Sequence, residues 1–206
     1  MNDPHRIDTI DGLREIIGDE VAVARQKIFD EIDPIGARFI AHAPLVFMAT
    51  CDADGHMDVS PKGDAPGFVE VESPSALLIP DRPGNRLIDG HRNVLANPRV
   101  GLIFVIPNVR ETYRVNGRAE LTRDPEVLAR LEARNKPAIL ATRVFVEEAY
   151  VHCGKAMIRS SLWQAETWPE KFKVGLGKQL AGKLGADDKA AADLDAAIER
   201  DYVDGL

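Results

Sequence analysis

The chain has 206 residues, 45% of them hydrophobic and 29% charged, which suits one sizeable core and leaves too little for two full domains. With 26 Lys and Arg against 33 Asp and Glu the formal net charge is −7, which argues against a coat for nucleic acid or anionic membrane, so any bound phosphate must meet a local basic site. Cys51 and Cys153 are the only cysteines and lie far apart, so neither a disulfide framework nor a local zinc site is encoded.

The first residues are polar and lack the apolar core of a signal peptide, and no run approaches the roughly 18 apolar residues of a membrane span, so a cytoplasmic protein is expected. Ile10, Leu13, Ile16 and Ile17, then Val21, Ala24 and Ile28, recur at spacings of three or four and predict an amphipathic helical arm over residues 1–40, broken at Gly18. From Pro44 the pattern changes to strands. Leu45–Cys51 and His56–Ser60 flank Asp54-Gly55, a strong hairpin signal. Further strands are predicted at Phe68–Glu72, Ala76–Ile79, Val100–Ile106, Thr112–Leu121 and Arg143–His152. The Thr112 segment is the clearest, because Tyr113, Val115, Gly117, Ala119 and Leu121 alternate with polar residues.

Two helices interrupt these strands. Asn85–Asn97 places Leu87, Ile88, His91, Val94 and Leu95 on one face and stops before Pro98, while Asp124-Pro125 is a cap followed by proline at the first helical position. After Pro169 the composition turns to Lys, Gly, Ala and Asp, with Lys171, Lys173, Lys178 and Lys183 ahead of an acidic stretch in which Leu194, Ile198 and Tyr202 predict a closing helix. The expected organisation is therefore an arm over 1–40, a strand-rich domain over 41–168 and a helical tail over 169–206. About seven strands with only two inserted helices predict a mainly β fold, an antiparallel barrel with flanking helices, because a parallel sheet needs a crossover after nearly every strand.

P-loop, GxGxxG and GxSxG motifs are absent, and the five histidines show no metal-ligand spacing. His91, on the apolar face of a helix, reads as a packed residue. Three segments carry candidate chemistry. Asp58-Val-Ser-Pro-Lys-Gly-Asp64 offers the Ser60 hydroxyl and the Lys62 ammonium, although the same residue types fill ordinary turns. Pro80-Asp-Arg-Pro-Gly-Asn-Arg86 runs into a helix, where free backbone N–H groups with Arg82 and Arg86 would cradle a phosphate; the alternative is a solvated turn whose arginines pair with Asp81 and Asp89. Tyr150–Trp163 sets Lys155 and Arg159 among apolar and aromatic residues, which suits either an anion or ring-stacking site or a strand edge with snorkelling side chains.

The stretches F-M-A-T-C-D-A-D-G, D-V-S-P-K-G-D, L-L-I-P-D-R-P-G-N-R-L, N-P-R-V-G-L-I-F-V-I-P, R-E-T-Y-R-V-N-G-R-A and H-C-G-K-A-M-I-R-S-S-L-W occur in that order over about residues 40–168. Taken together they resemble the pyridoxamine 5′-phosphate oxidase-related family of FMN-binding split barrels. The resemblance implies a six-stranded split β-barrel that forms a homodimer with two FMN molecules at the subunit interface. It places Ser60 and Lys62 on the strand lining the flavin, and Arg82, Asn85 and Arg86 around its phosphate. Thr112 falls where a second subunit contributes a polar side chain to the flavin ring. Lys155 and Arg159 fall on a closing strand region that reaches the cofactor, with Trp163 nearby.

An FMN-dependent oxidoreductase with a small-molecule substrate, and NAD(P)H as a candidate reductant, is thereby implied; a flavin-binding module without turnover is the alternative. Related split barrels use a deazaflavin instead. True pyridoxamine phosphate oxidases close on a basic segment with the pattern Arg-Leu-x-Pro. The acidic tail ending Asp-Tyr-Val-Asp-Gly-Leu206 lacks it, so a substrate other than vitamin B6 is expected.

Overall fold

The computed structural model describes residues 3–84, 86–170, 172 and 174–204. Seven strands, β1 (Leu45–Cys51), β2 (Met57–Gly63), β3 (Glu70–Ser73), β4 (Ala76–Asp81), β5 (Arg99–Val105), β6 (Thr112–Thr122) and β7 (Leu140–His152), form one sheet in the order β2-β1-β5-β6-β7-β4-β3. Every pairing is antiparallel. The resemblance implied six strands; the described residues form seven, because the short β3 pairs with β4, Glu70 opposite Leu78.

The hairpin at Asp54-Gly55 forms as its dipeptide predicts, with Gly55 at a φ of 87° and the Asp52 carboxylate accepting the backbone N–H of Asp54 and of His56. Strands β2, β4 and β7 run further than their alternation suggests, β7 by starting at Leu140 rather than Arg143. Strand β2 continues through Pro61 to Gly63, which an edge strand tolerates because one row of its N–H groups has no ladder partner. Strand β4 continues through Pro80 to Asp81.

The core fills one side of this sheet. Val46 and Met48 of β1, Leu77 and Ile79 of β4, Leu102 and Phe104 of β5, Tyr113 and Val115 of β6 and Val144 of β7 belong to one buried cluster. Strand β4 is apolar without alternation because its other face is covered too. There Leu78 joins Ala141 of β7 and Val127 of α5 (Pro125–Arg130), whose start carries the expected Asp124 cap, its carboxylate accepting the Glu126 N–H at 2.9 Å.

In the N-terminal arm, α1 (Ile10–Ile17) stops at Gly18 as expected, but the helix after it, α2 (Ala22–Gln26), ends before Ile28 because Phe29 bridges to Ala149 of β7. A third helix, α3 (Pro34–His42), packs on the barrel and is capped by Asp33, which accepts the Gly36 N–H at 2.7 Å. A Cβ built on Gly36 would lie 2.0 Å from the Tyr113 hydroxyl oxygen, so only glycine lets α3 approach the ring of this fully buried tyrosine. Burial, with the nearby Asp33 charge, pushes the Tyr113 phenol up to about 12. In the tail, α7 (Leu176–Leu184) and α8 (Asp188–Asp204) pair with each other.

Gly36→Ala should therefore destabilise the protein by about 1–3 kcal/mol through overpacking. Gly182→Ala, at an α7 position with open space around it, should leave stability unchanged or slightly raised. Urea unfolding of the two variants beside the parent measures both effects.

Candidate functional site

Strand β2 has its amphipathicity reversed. Register places Lys62 opposite Val46, Ser60 opposite Met48 and Asp58 opposite Thr50, all of which are buried, so the polar residues of β2 turn toward the core side. Its apolar residues Met57 and Val59 turn outward and are 66% and 59% exposed. A strand at the end of a sheet can carry a polar inner face only where a cavity or a partner element receives it.

The receiving element is the end of β4. No backbone ladder joins β2 to β4, so the barrel is split along this seam. Two ion pairs of opposite sense bridge the gap. The Lys62 ammonium donates to Asp81 at 2.7 Å, and the Arg82 guanidinium donates to Asp64 at 3.0 Å and to the Leu131 carbonyl at 2.8 Å. His91 adds an imidazole nitrogen 3.5 Å from the same Asp81 oxygen. Burial opposes ionisation of Asp81, but the hydrogen bonds from His91 and Lys62 outweigh it and hold the carboxyl at about 2. At Asp64 burial is likewise overcome, here by the Ala65 N–H and Arg82, and its carboxyl is held below the usual range.

A groove of about 1130 Å³ opens along this seam. Its walls include Asp58, Ser60 and Lys62 of β2, Asp81 and the loop after β4, the first turn of α4 (Asp89–Ala96), and Arg123 and Leu140 at the far rim. Side-chain amides tie α4 to β1: Asn93 donates to the buried Thr50 hydroxyl at 3.1 Å, and Asn97 to the Cys51 sulfur at 3.0 Å. The helix thereby starts against Asp58, since a Cβ on Gly90 would sit 3.1 Å from its carboxylate. Ser60 donates to the same carboxylate at 2.6 Å.

Of the residues expected at the site, Ser60, Lys62, Arg82 and Arg86 line the groove together. Asn85 lies outside the described residues. The helix expected from Asn85 begins only at Asp89, because Arg86 has a φ of 62°, a left-handed conformation that no helix accommodates. The phosphate cradle expected at this helix start is thus a loop followed by a helix whose first turn carries an acid. The solvated-turn pairing is not formed either: Asp81 is bound to Lys62 and His91, and Asp89 lies 3.7 Å from Arg92.

Thr112, Lys155 and Arg159 do not line this groove. Thr112 is buried at the start of β6, opposite His152. Lys155 and Arg159 sit on a short helix, α6 (Lys155–Arg159), rather than on a closing strand. The chain leaves the sheet at Gly154, where a Cβ would lie 2.8 Å from Arg110. Below α6 a hollow of about 350 Å³ is lined in part by Arg110, Met157 and Trp163, whose indole N–H donates to the Val109 carbonyl at 2.9 Å.

Sequence reasoning missed Asp64, Asp81, His91 and Arg123 as members of the groove. The available signal was the pair of oppositely charged residues at each strand end, Lys62 with Asp64 and Asp81 with Arg82, which match only when the two ends face each other.

A family model for pyridoxamine 5′-phosphate oxidase matches residues 33–153, more than half of the chain and every strand of the sheet. No curated protein matches. Solved structures similar to the chain include HupZ of Group A Streptococcus, 18% identical over 58% of this chain and 93% of that one with a TM-score of 0.48. General stress protein 26 of Bacillus anthracis is 11% identical over 55% of this chain and 88% of that one, with a TM-score of 0.43. An FMN-binding protein of Syntrophomonas wolfei is 10% identical over 69% and 93%, with a TM-score of 0.44.

Asp81 makes stability depend on acid pH in a defined direction. A carboxyl depressed from 3.8 to about 2 in the folded state contributes stability that is complete above pH 4 and is lost as pH falls through 2. The contribution is roughly 2 kcal/mol at about 1.4 kcal/mol per pH unit. Asp81→Asn should remove that component of the stability slope between pH 4 and 2, measured by urea unfolding at several pH values.

Proposed function

Because the chain belongs to the pyridoxamine 5′-phosphate oxidase family, we propose that it is an FMN-binding flavoprotein and an oxidoreductase acting on a small organic molecule. Support comes above all from the seam groove, which lies within the segment matched by the family model and gathers four of the residues expected to hold the flavin. Its dimensions and chemistry fit such a cofactor: half-buried hydroxyl, ammonium and carboxylate groups on one wall, Phe68, Leu121 and Ile139 as apolar lining, and an Arg86 guanidinium with no partner among the described residues. When bound, FMN supplies two-electron redox chemistry at its ring, so the protein needs to bind, orient and shield rather than to provide a nucleophile.

In this proposal Arg86 donates to the phosphate, and Ser60 and Lys62 face the rest of the cofactor from β2. Arg86 lines the groove from a left-handed backbone conformation. A second copy of the chain covers the outward apolar stripe of Phe47, Met57 and Val59 and brings its own Lys155 and Arg159 toward the groove, completing a homodimer. No helix among the described residues is long and apolar enough to cross a membrane.

Protein purified under native conditions should be yellow, its chromophore should have the mass of FMN, and NADH or NADPH should bleach it without oxygen if it turns over. A colourless protein that takes up no flavin would reject the proposal, whereas a yellow protein that no reductant bleaches would mark a binding module. Arg86→Ala should weaken FMN by about ten- to a hundred-and-fifty-fold, the effect of losing one charge-assisted donor, and leave riboflavin unchanged. Fluorescence titration of apoprotein with each flavin distinguishes these outcomes. Light scattering of the yellow protein should give twice the chain mass.

A further inference from the structure

The two ends of the chain hold helices whose apolar sides nothing covers. At the N-terminal end α1 is eight residues long, a length at which a helix without tertiary contacts is marginal in water. It has no buried residue: Ile10 is 73% exposed, and Ile16 and Ile17 are each 69% exposed. Its sequence is nonetheless sharply divided, since Ile10, Leu13 and Ile17 recur one turn apart while Asp11, Arg14 and Glu15 fall on the other side. Such a stripe stabilises a short helix only when another apolar surface meets it.

At the C-terminal end α7 and α8 form a hairpin of their own. Gly177 lets the two helices touch, because a Cβ there would collide with the Ala191 carbonyl, and its N–H donates to Asp195 at 2.5 Å. This pairing leaves part of the apolar side of α7 open: Leu184 is 75% exposed, and Leu180, one turn earlier, is exposed too. The charges of the two ends are opposite. Lys178 and Lys183 are the only ionisable residues of α7, whereas the arm around α1 carries Asp8, Asp11, Glu15 and Asp19. None of these six is in an ion pair among the described residues.

We propose that α1 of one copy docks on the α7–α8 hairpin of a second copy, its apolar stripe against Leu180 and Leu184, so that a dimer holds two equivalent arm–tail contacts. The partner comes from another molecule because within one chain both stripes stay open to solvent although arm and tail are both present. The arm has the reach for this. Its root is fixed where Phe29 bridges to Ala149, and the chain from Gly18 to Phe29, with α2 in it, extends about 30 Å at most. Burial of the two stripes supplies the affinity, and the acidic arm against the basic α7 favours this pairing over arm on arm. The proposal shares with the flavin reading only the second copy of the chain.

Hydrogen exchange of the full-length protein, read by mass spectrometry on peptides covering residues 9–18, reports the contact. In the parent those amides should exchange about tenfold or more slowly than in an unstructured chain. Leu184→Asp, at a side chain exposed in the single chain, should abolish that protection and leave the exchange of β6 and β7 unchanged. A mixed dimer of one Leu13→Asp chain and one Leu184→Asp chain, purified through two different tags, keeps an intact arm–tail pair only if the pair forms between copies. The unaltered arm of the Leu184→Asp chain, separable by mass, should therefore regain its protection in the mixed dimer. An arm unprotected in the parent overturns the proposal, as does protection that survives Leu184→Asp or fails to return in the mixed dimer. Light scattering separates this failure from that of the flavin reading: a monomeric parent overturns the dimer of both, whereas a yellow dimer with an unprotected arm overturns the arm–tail contact alone.

Discussion

The ion pair between Lys62 and Asp81 is the contact on which the architecture turns. It joins the free end of the sheet to the strand next to its other end without a single backbone hydrogen bond between them. A half-buried ammonium and carboxylate each carry a desolvation penalty, which their mutual attraction offsets only at close range and with further donors present. His91 and the crossed pair of Arg82 with Asp64 supply those additions. A barrel closed by main-chain pairing would have had no opening here. Closure through side chains leaves space between the strand ends, and that space is the groove.

The same closure explains the inversion of β2. Asp58, Ser60 and Lys62 face inward because seam and groove lie there, and Met57 and Val59 are left outside by the two-residue period of the strand. The outer face of β2 is thus a surface that ordinary patterning would bury. The polar interior and the apolar exterior of this strand are one fact seen from its two faces.

Much of the fold was legible in the sequence because it depends on local periodicity. The alternation in β6, the Asp54-Gly55 turn and the Asp124-Pro125 cap each involve neighbours within a few residues, and each appears as expected. What escaped depends on distant partners. Asp81 lies 19 residues from Lys62 and Arg82 lies 18 from Asp64, and no local pattern distinguishes a seam pair from surface charges. The start of α4 was misplaced because the apolar spacing of Leu87 and Ile88 continues through a residue whose backbone is left-handed. Helix α6 was hidden because its mixture of cations and apolar residues follows a strand without a breaker other than Gly154.

The two open edges of the sheet constrain how copies of this protein can meet. Strand β2 carries Pro61, which lacks an N–H, and β3 is four residues long with Glu70 and Glu72 along it. Neither presents the long, flat row of donors and acceptors that a strand from another molecule needs for continued pairing. Association through these edges, the route by which β-proteins extend into fibrils, is therefore disfavoured at both ends. A second copy that met the sheet would meet its faces, where side chains rather than the main chain choose the partner and its orientation.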